Sequence, residues 1–348
     1  MKVLILGASY GSLLSTKLLM AGHDVTLVCM PAEAELIKAS GTTVRLKLRD
    51  ESEPRLIWSG DCAGTLDAVV PGDANPADFD IVALAMQEPQ FGAPEIRDIL
   101  GRIGEAGKPV VSIMNMPPLS YLLRIPGVTK ADVADSFTDA SVWDALRPEQ
   151  ITLCSPDPQA FRPPEEDLNF LHVGLPTNFK AAAFDNPEHT DILRKLESDI
   201  AAVRLDDKDV PVKLRTHDSI YVPLAKWPML LTGNYRAVTR NGAQSIRDAV
   251  HGDLEKSRKI YQGVEEIIVA MGGSKDDLVP FEKYAAAAEN LLKPSSGARA
   301  LEAGAKNIER VDKLVQGLAR ARGIDLPEIN ETVETVDFRL QENRKAAG

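Results

Sequence analysis

The first twelve residues, MKVLILGASYGS, set the fold class of this 348-residue chain. An apolar run at 3–6 meets Gly7, and a second glycine, Gly11, comes just before a helical pattern that begins at residue 12. A strand that turns through glycines into a helix brings backbone N–H groups to a place where a pyrophosphate can rest. The stretch therefore predicts a nucleotide-binding strand–turn–helix unit.

The pattern that follows extends this unit into a layered α/β domain. A helix over 12–21, a break at Gly22 and a strand over 24–29 complete one βαβ unit. The runs 80–85 and 109–114 are short and mainly apolar, as in parallel strands covered on both faces. Further strands are predicted at 43–48, 55–59, 67–70, 151–154 and 170–175, and helices at 93–103 and 188–203. We therefore predict a doubly wound, parallel sheet of the Rossmann type.

From residue 216 onward the sequence shows only helical periodicity, with apolar residues at intervals of three and four. Helices are predicted at 220–235, 243–271, 280–292, 307–322 and 327–344. The predicted organisation is thus an α/β, Rossmann-like N-terminal domain over 1–208, which binds a dinucleotide, and an all-α C-terminal domain over 209–348.

The composition disfavours several classes of partner. With 51 acidic and 40 basic residues the net charge is −11, which disfavours nucleic acid. No stretch approaches the ~20 apolar residues that a membrane span needs. Three cysteines without a CxxC pair and five scattered histidines indicate neither disulfides nor a metal site. We expect a soluble, cytoplasmic protein whose helical half is apolar enough to support a homodimer.

The glycine turn departs from the usual dinucleotide fingerprint GxGxxG, because Ser9 stands at the middle glycine position. We predict that Gly7, Ser9, Tyr10 and Gly11 bind the dinucleotide; an ordinary tight turn is the alternative. Met30 ends the second strand, where an acidic residue would indicate NAD and an arginine NADP, so this position does not choose between them. The charged side chains just beyond are interpreted as solvated helix charges: Glu33, Glu35 and Lys38.

Four stretches in a fixed order resemble the ketopantoate reductase (2-dehydropantoate 2-reductase) family, over most of the chain. They are residues 22–28 (GHDVTLV), Asn115 at a strand end, the helix around Lys226, and residues 293–296 (KPSS). The resemblance implies the same two-domain fold and the reduction of a 2-keto acid with NADPH. NADP(H) is therefore the implied cofactor, with NAD(H) as the alternative.

The resemblance also implies roles for individual residues. Lys226 stands where the family has its catalytic lysine, Asn234 matches a substrate-binding asparagine, and Asn115 matches the asparagine between nicotinamide and substrate. Ser295 and Ser296 match substrate-contacting serines, and Ser296 aligns better. A cation that donates to the carbonyl oxygen as hydride arrives, with amides that fix polar groups, suits this chemistry. The structural alternatives are a lysine stem lying on apolar surface, a turn asparagine and a helix start.

The chain departs from the family at several positions. Leu230 replaces a second asparagine, and Met30 and Gln87 replace the arginine and lysine that bind the 2′-phosphate. The family's active-site glutamate maps onto Asn307, and Glu309 is the other candidate for its substitute. These departures leave open the substrate and the choice between NADPH and NADH.

Three hypotheses about function follow from these residues. The leading one is hydride transfer between a nicotinamide cofactor and a small 2-keto or 2-hydroxy acid, with Lys226 polarising the carbonyl. The second is a dehydrogenase of the opine type or a similar enzyme, acting on another alcohol, ketone or imine, which Leu230 suggests. The third is a non-catalytic nucleotide sensor, for which the degenerate glycine turn is the indication. A hydrolase is disfavoured because no GxSxG motif occurs.

Overall fold

The strands follow the apolar runs of the sequence within residues 1–347, the residues that the computed structural model describes. Four of the five residues of the first strand are buried, and the strands that form within the two short apolar runs, Ile81–Leu84 and Val110–Ile113, are buried throughout. The strands are β1 (Lys2–Leu6), β2 (Asp24–Val28), β3 (Thr43–Leu46), β4 (Arg55–Trp58), β5 (Leu66–Val69), β6 (Ile81–Leu84), β7 (Val110–Ile113), β8 (Ile151–Ser155), β9 (Gln159–Phe161), β10 (Phe170–Leu175), β11 (Phe179–Ala182), β12 (Arg204–Leu205), β13 (Lys208–Asp209), β14 (Leu214–His217), β15 (Val238–Thr239) and β16 (Gly242–Ala243).

The helices alternate with the strands at first and then dominate. They are α1 (Ala8–Met20), α2 (Pro31–Ser40), α3 (Pro94–Ala106), α4 (Leu119–Leu122), α5 (Lys130–Val133), α6 (Pro187–Ala202), α7 (Trp227–Met229), α8 (Ile246–His251), α9 (Leu254–Ala270), α10 (Phe281–Ala288), α11 (Ser296–Glu302), α12 (Val311–Arg320) and α13 (Pro327–Ala346). Short 3₁₀ turns lie at Ser59–Asp61, Pro71–Asp73, Pro76–Asp78, Glu88–Gly92, Ala134–Ser136, Ala140–Ala145, Pro148–Gln150, Val222–Lys226 and Lys275–Asp277, and a π turn spans Leu230–Asn234.

Two units arise from this chain, and each combines separate stretches of it. Unit 1 consists of Met1–Met86, Gln90–Tyr121 and Ser141–Asp218. Unit 2 consists of Gln87–Pro89, Leu122–Ala140 and the segment that begins at Ser219. The chain therefore passes from one unit to the other several times, and its last passage follows Asp218.

The main sheet of unit 1 has eight strands in the order β14-β11-β8-β7-β6-β1-β2-β5. The strands β8, β7, β6, β1, β2 and β5 are parallel, whereas β11 is antiparallel to β8 and β14 is parallel to β11. The chain moves outward from β1 through β2 to β5 and then returns to the other side of β1 with β6. This reversal is a topological switch point, and such sheets bind ligands outside the carboxyl ends of the strands there.

A second sheet of unit 1, in the order β4-β3-β10-β9, packs against α1. Its inner residues alternate with outer ones, as expected for a sheet covered on one face. It carries the chain after β8 back beside the first turns of α1 and α2, which positions part of the site described below.

The predicted fold class is confirmed, with corrections in detail. The C-terminal unit is not wholly helical, because β15 and β16 form a hairpin. The predicted helix over 243–271 is two helices, α8 and α9, since the Asp253 side chain caps a new helix start by accepting from Lys256 N–H at 2.9 Å. The strands β11 and β14 were not predicted, and β14 extends the sheet to His217.

Candidate functional site

The turn after β1 requires glycine at both glycine positions. Gly7 has a φ of +100°, and a Cβ on it would lie 2.7 Å from the Ala85 carbonyl oxygen and 2.6 Å from Met86 Cγ. A Cβ on Gly11 would lie 2.8 Å from Ile5 Cγ2. Gly7 thus permits the tight turn at the switch point, and Gly11 permits close packing of α1 on β1.

Helix α1 begins directly after this turn, and no side chain caps its first N–H groups. Its first turn carries no acidic residue, and Ser9 in that turn is exposed to solvent. The first N–H groups of a helix have no partner within the helix, and they lie at the positive end of its dipole. The start of α1 therefore suits an anionic group such as a phosphate.

The Tyr10 side chain makes structural contacts within unit 1. Its hydroxyl donates to the Pro158 carbonyl oxygen at 2.6 Å, and its ring meets Phe179 edge-on with centroids 6.0 Å apart. Burial, and then the nearby Cys154 and Asp157, raise the pKa of this phenol well above its usual value. Tyr10 can thus meet a nucleotide through its backbone, while its side chain holds the segment around Pro158 beside α1.

The end of β2 carries an ion pair that the sequence did not reveal. Met30 is 67% exposed, but Glu33, in the first turn of α2, is buried and pairs with the Arg162 guanidinium. The interpretation of Glu33 as a solvated charge is therefore wrong, whereas Glu35 and Lys38 are exposed. Arg162 gave no local signal because it lies 129 residues further along the chain.

Asn115 lies just beyond β7, at the same edge of the sheet as the glycine turn. Its Oδ1 is buried and has no hydrogen-bond partner within residues 1–347. Such an acceptor costs free energy unless a ligand or water occupies it, so Asn115 offers an acceptor for an amide N–H. Gln87, predicted at the same cofactor, is exposed and belongs to the short segment Gln87–Pro89 of unit 2.

In unit 2, Lys226 and Asn234 lie on one continuous helix that changes type along its length. A 3₁₀ turn leads into α7, and the π turn after it closes with a bond of 2.9 Å from Tyr235 N–H to the Leu230 carbonyl oxygen. Lys226 is partly buried, and so is Asn234. Leu230 is 4% exposed, so it belongs to the core and makes no polar contact of the kind its family counterpart makes.

The π turn determines which face of the helix Asn234 occupies. Over eight residues an ideal α-helix rotates by about 800°, which would leave Asn234 about 80° away from Lys226. A π turn accommodates one additional residue and reduces the rotation to about 700°. Asn234 therefore returns to within about 20° of the Lys226 direction, two turns further along the helix.

Side chains from neighbouring helices hold the π turn. The Tyr284 hydroxyl donates to the Met229 carbonyl oxygen at 3.0 Å, and the Ser295 hydroxyl donates to the Asn234 carbonyl oxygen at 2.7 Å. Gly233 has no room for a Cβ, which would overlap the Tyr284 hydroxyl. These contacts satisfy carbonyl groups where the helix changes type, so the wide turn is a built feature of unit 2.

The two predicted serines have different surroundings. Ser295 is 5% exposed and caps α11, since its Oγ accepts from Ala298 N–H at 3.1 Å. Its hydroxyl is thus used by the cap and by Asn234, as the helix-start interpretation supposed. Ser296 is the first residue of α11 and is exposed, so its hydroxyl lies at the surface of unit 2.

Of the two candidates for the family's glutamate, Glu309 is the one bonded to Tyr235, the residue that follows the π turn. Asn307 is exposed, and its Oδ1 accepts from the Arg344 guanidinium at 2.8 Å. Glu309 accepts through its carbonyl oxygen from the Tyr235 hydroxyl at 2.6 Å, and through Oε1 from Glu88 N–H at 3.4 Å. The structure therefore places Glu309 next to the residue that follows Asn234.

Glu88 is a buried carboxylate in unit 2 that sequence reasoning missed. It accepts from Thr138 N–H at 3.0 Å and from the Thr138 hydroxyl at 2.9 Å. Burial raises the pKa of Glu88, while the hydrogen bonds from Thr138 oppose that rise. These bonds fix the backbone whose N–H meets Glu309.

Residues 1–347 carry neither a candidate membrane span nor a candidate metal site. No helix there is both long enough and apolar enough to span a bilayer. No group of three or more His, Cys, Asp and Glu side chains in that part of the chain is arranged to ligate a metal ion.

Solved structures share this architecture over nearly the whole chain. The 2-dehydropantoate 2-reductase from Methylococcus capsulatus aligns at 15% identity with a TM-score of 0.69, over 99% of this chain and 98% of that one. D-mandelate dehydrogenase, in its ternary structure with NADH and anilino(oxo)acetate, aligns at 14% identity with a TM-score of 0.66, over 99% of both chains. The dimeric ketopantoate reductase from Staphylococcus aureus aligns at 12% identity with a TM-score of 0.60, over 99% of this chain and 100% of that one.

No protein-family profile matches the sequence, and no curated protein matches it either. The likeness to the solved structures is therefore one of fold. The chain adopts the fold of the ketopantoate reductases, in which a Rossmann unit is joined to a helical unit.

Proposed function

We propose that the chain is a nicotinamide-dependent oxidoreductase of the ketopantoate reductase type, which transfers a hydride between its cofactor and a small 2-keto or 2-hydroxy acid. The observation that carries the proposal is the π turn at Leu230–Asn234. By ideal helix rotation, a turn of this kind would bring Asn234 to about the same helix face as Lys226. Proteins of the same fold support it, since they include 2-dehydropantoate 2-reductase and a D-mandelate dehydrogenase that binds NADH.

The residues of unit 1 fit a dinucleotide, NADP(H) or NAD(H). Gly7 permits the tight turn and Gly11 the close packing of α1 on β1, and the uncapped start of α1 at Ser9 and Tyr10 offers N–H groups to the pyrophosphate. The buried Oδ1 of Asn115 would accept a hydrogen bond from the nicotinamide carboxamide.

In this proposal, residues of unit 2 orient the substrate and protonate its carbonyl oxygen. A bound nicotinamide supplies or accepts the hydride. Lys226 donates a hydrogen bond from Nζ to the substrate carbonyl oxygen and passes a proton to it as negative charge develops. Asn234 orients the polar groups of the substrate, and we assign the same task to Ser296. With Leu230 buried, no second amide side chain serves that position, so the proposed recognition rests on fewer polar contacts.

The proposal is tested by binding first and by turnover second. We expect NADH or NADPH to bind the purified protein with quenching of tryptophan fluorescence, and a panel of 2-keto acids to be reduced. Lys226→Ala should lower kcat by about 10²- to 10⁴-fold, because the general acid is lost, with little change in the Kd of the dinucleotide. Lys283→Ala, which removes an exposed lysine from α10 of the same unit, is the matched control.

Near-normal turnover of Lys226→Ala would remove this residue from the mechanism. Failure to bind either dinucleotide would favour the sensor hypothesis or a different nucleotide. Tight binding without reduction of any 2-keto acid would direct the search to other alcohols, ketones and imines.

A cytoplasmic location and a homodimer complete the proposal. The dimeric state of the Staphylococcus aureus protein of the same fold supports the dimer. Sedimentation velocity measures the oligomeric state, and fractionation of cells that express the native chain tests the location.

A further inference from the structure

A short segment of unit 1 runs along the carboxyl edge of the main sheet and is fixed at both ends. At one end, the Pro158 carbonyl oxygen accepts from the Tyr10 hydroxyl, in the first turn of α1. At the other end, Arg162 pairs with Glu33, in the first turn of α2. Because α1 and α2 begin at the carboxyl ends of the neighbouring parallel strands β1 and β2, Arg162 lies at the end of β2.

The Glu33–Arg162 pair is enclosed rather than solvated. The Glu33 side chain is 11% exposed and the Arg162 side chain 25%. Both charges act on Cys29, the residue after β2. The pKa of its thiol is raised to about 12, first by burial and then by Glu33, while Arg162 opposes the rise. The two charges are therefore gathered at one point of the sheet edge, while Glu35 on the same helix faces solvent.

The end of β2 is the place where a Rossmann fold reads the adenosine ribose of its cofactor. A carboxylate there accepts from the free 2′-hydroxyl of NAD, whereas an arginine accommodates the 2′-phosphate of NADP. This chain has both groups at that place, paired with each other. We propose that Glu33 and Arg162 together determine cofactor specificity, with Glu33 selecting NAD(H) and holding Arg162 away from a 2′-phosphate.

The inference rests on the proposed dinucleotide function and follows from the charges. With the pair intact, a 2′-phosphate would lie next to the Glu33 carboxylate, and the two negative charges would repel each other. A 2′-hydroxyl carries no charge and can donate to the same carboxylate. Without the Glu33 charge, the Arg162 guanidinium is released to bind the phosphate in the bidentate geometry that arginine favours.

The test uses two adenosine nucleotides that differ only in the 2′ group, 5′-AMP and 2′,5′-ADP, and measures their Kd by isothermal titration calorimetry. We expect the intact protein to prefer 5′-AMP. Glu33→Gln should shift the ratio of the two Kd values toward 2′,5′-ADP by about tenfold or more, the effect of one charge-assisted hydrogen bond. Arg162→Gln should shift the ratio further toward 5′-AMP.

Glu35→Gln is the matched control, because it removes the same charge from the same helix without touching Arg162. Its ratio should equal that of the unmodified protein. Since each variant is judged by a ratio of two ligands, a general loss of stability does not imitate the expected shift. The ratio of kcat/KM for NADPH and NADH should move in the same direction.

The outcomes separate this inference from the function on which it rests. If both dinucleotides bind and the ratio is the same in Glu33→Gln as in the control, the specificity role is overturned and the dehydrogenase proposal stands. A preference of the intact protein for 2′,5′-ADP also overturns the role of Glu33. If neither the nucleotides nor NADH and NADPH bind, both proposals fail together.

Discussion

Lys17 carries an ammonium group that has no exposed surface. It lies on α1 within unit 1 and donates to the carbonyl oxygens of Pro211 at 3.0 Å and Val210 at 3.3 Å. The pKa of Lys17 is lowered to about 7, first by burial and then by the charge of Lys213, while Asp209 opposes the shift. The folded chain therefore binds this proton more weakly than the unfolded chain does, so Lys17 makes stability depend on pH.

We expect a defined pH dependence from Lys17. Below pH 7 both states hold the proton, so the cost of burying the charge is fully present. Between about pH 7 and the usual lysine pKa of 10.5 the unfolded state binds more protons, so stability rises with pH. The slope approaches about 1.4 kcal/mol per pH unit. Urea unfolding of the native chain and of Lys17→Met from pH 6 to pH 10 measures it as a difference between two curves. Parallel curves above pH 7 would contradict the prediction.

For individual residues, the local sequence predicted the role only where neighbouring residues along the chain determine that role. Gly7 and Gly11 were identified because a turn between strand and helix needs them, and the structure shows what a Cβ would strike. Glu33 was misread, since the partner that removes it from solvent lies on a distant strand end. The roles predicted for Lys226 and Asn234 came from a family resemblance, because no local pattern distinguishes a catalytic lysine from one whose stem lies on apolar surface.

In the helix that carries Lys226, the π turn changes the directions in which side chains leave the helix, and this matters more for the proposed site than the presence of the helix. Its presence was predicted at 220–235, and it forms at 222–234. Its π turn was not predicted, since nothing in the spacing of apolar residues marks the one extra residue. The features that select it lie elsewhere: Tyr284 on α10 and Ser295 before α11 bind the carbonyl groups involved.

We expect Tyr284→Phe to reduce turnover without loss of cofactor binding. The change removes the hydroxyl that binds the Met229 carbonyl oxygen and lets the π turn relax, which moves Asn234 relative to Lys226. A displacement of this kind lowers kcat by about tenfold to a hundredfold and raises the KM of the keto acid. Steady-state kinetics with 2-keto acids, together with dinucleotide titration, measures these effects.

Tyr261→Phe is the control for this experiment. Tyr261 stacks on Tyr284 with centroids 5.6 Å apart, and its hydroxyl donates to the Val279 carbonyl oxygen at 2.6 Å. Both variants lose one hydroxyl-to-carbonyl hydrogen bond, so both should lose about 1 kcal/mol of stability. Only Tyr284→Phe should lose kcat; equal losses would mean that the π turn has no positioning role.

The strands that were missed have a physical explanation at the same scale. The sequence of β11, Phe-Lys-Ala-Ala, lacks the β-branched residues that mark strands, and β14 combines one apolar residue with Arg215, Thr216 and His217. Their pairing with β8 and with each other stabilises them as strands. Tertiary contacts therefore decided where unit 1 ends.

For the whole molecule, the dimer is the prediction that composition and fold support together. Several large apolar side chains of unit 2 are exposed, Leu292 at 64% and Phe338 at 36% among them. We expect sedimentation velocity to show a species of twice the chain mass that persists on dilution into the micromolar range. A chain that sediments as a monomer at every concentration would contradict the proposal, and the kinetics would then need no second subunit.

The order of a Rossmann half and a helical half was predictable, whereas the repeated passage of the chain between unit 1 and unit 2 was not. Strand and helix periodicity is a local property, and it predicted a Rossmann half followed by a helical half. The assignment of Gln87–Pro89 and Leu122–Ala140 to unit 2 depends on what those segments pack against. Helix α12 lies against α5 and the 3₁₀ turn after it, and a Cβ on Gly317 would meet the Asp132 carbonyl oxygen.

The packing of residues 122–140 against the much later helix α12 affects synthesis on the ribosome. Residues 122–140 emerge long before α12, and at ordinary rates of translation they wait on the order of 10 s for the helix that covers them. During that interval Val133 and Phe137, both buried in the finished protein, have no cover from α12. A nascent chain that stalls before Val311 thus presents an apolar segment to chaperones and proteases, even when the sheet of unit 1 is already complete.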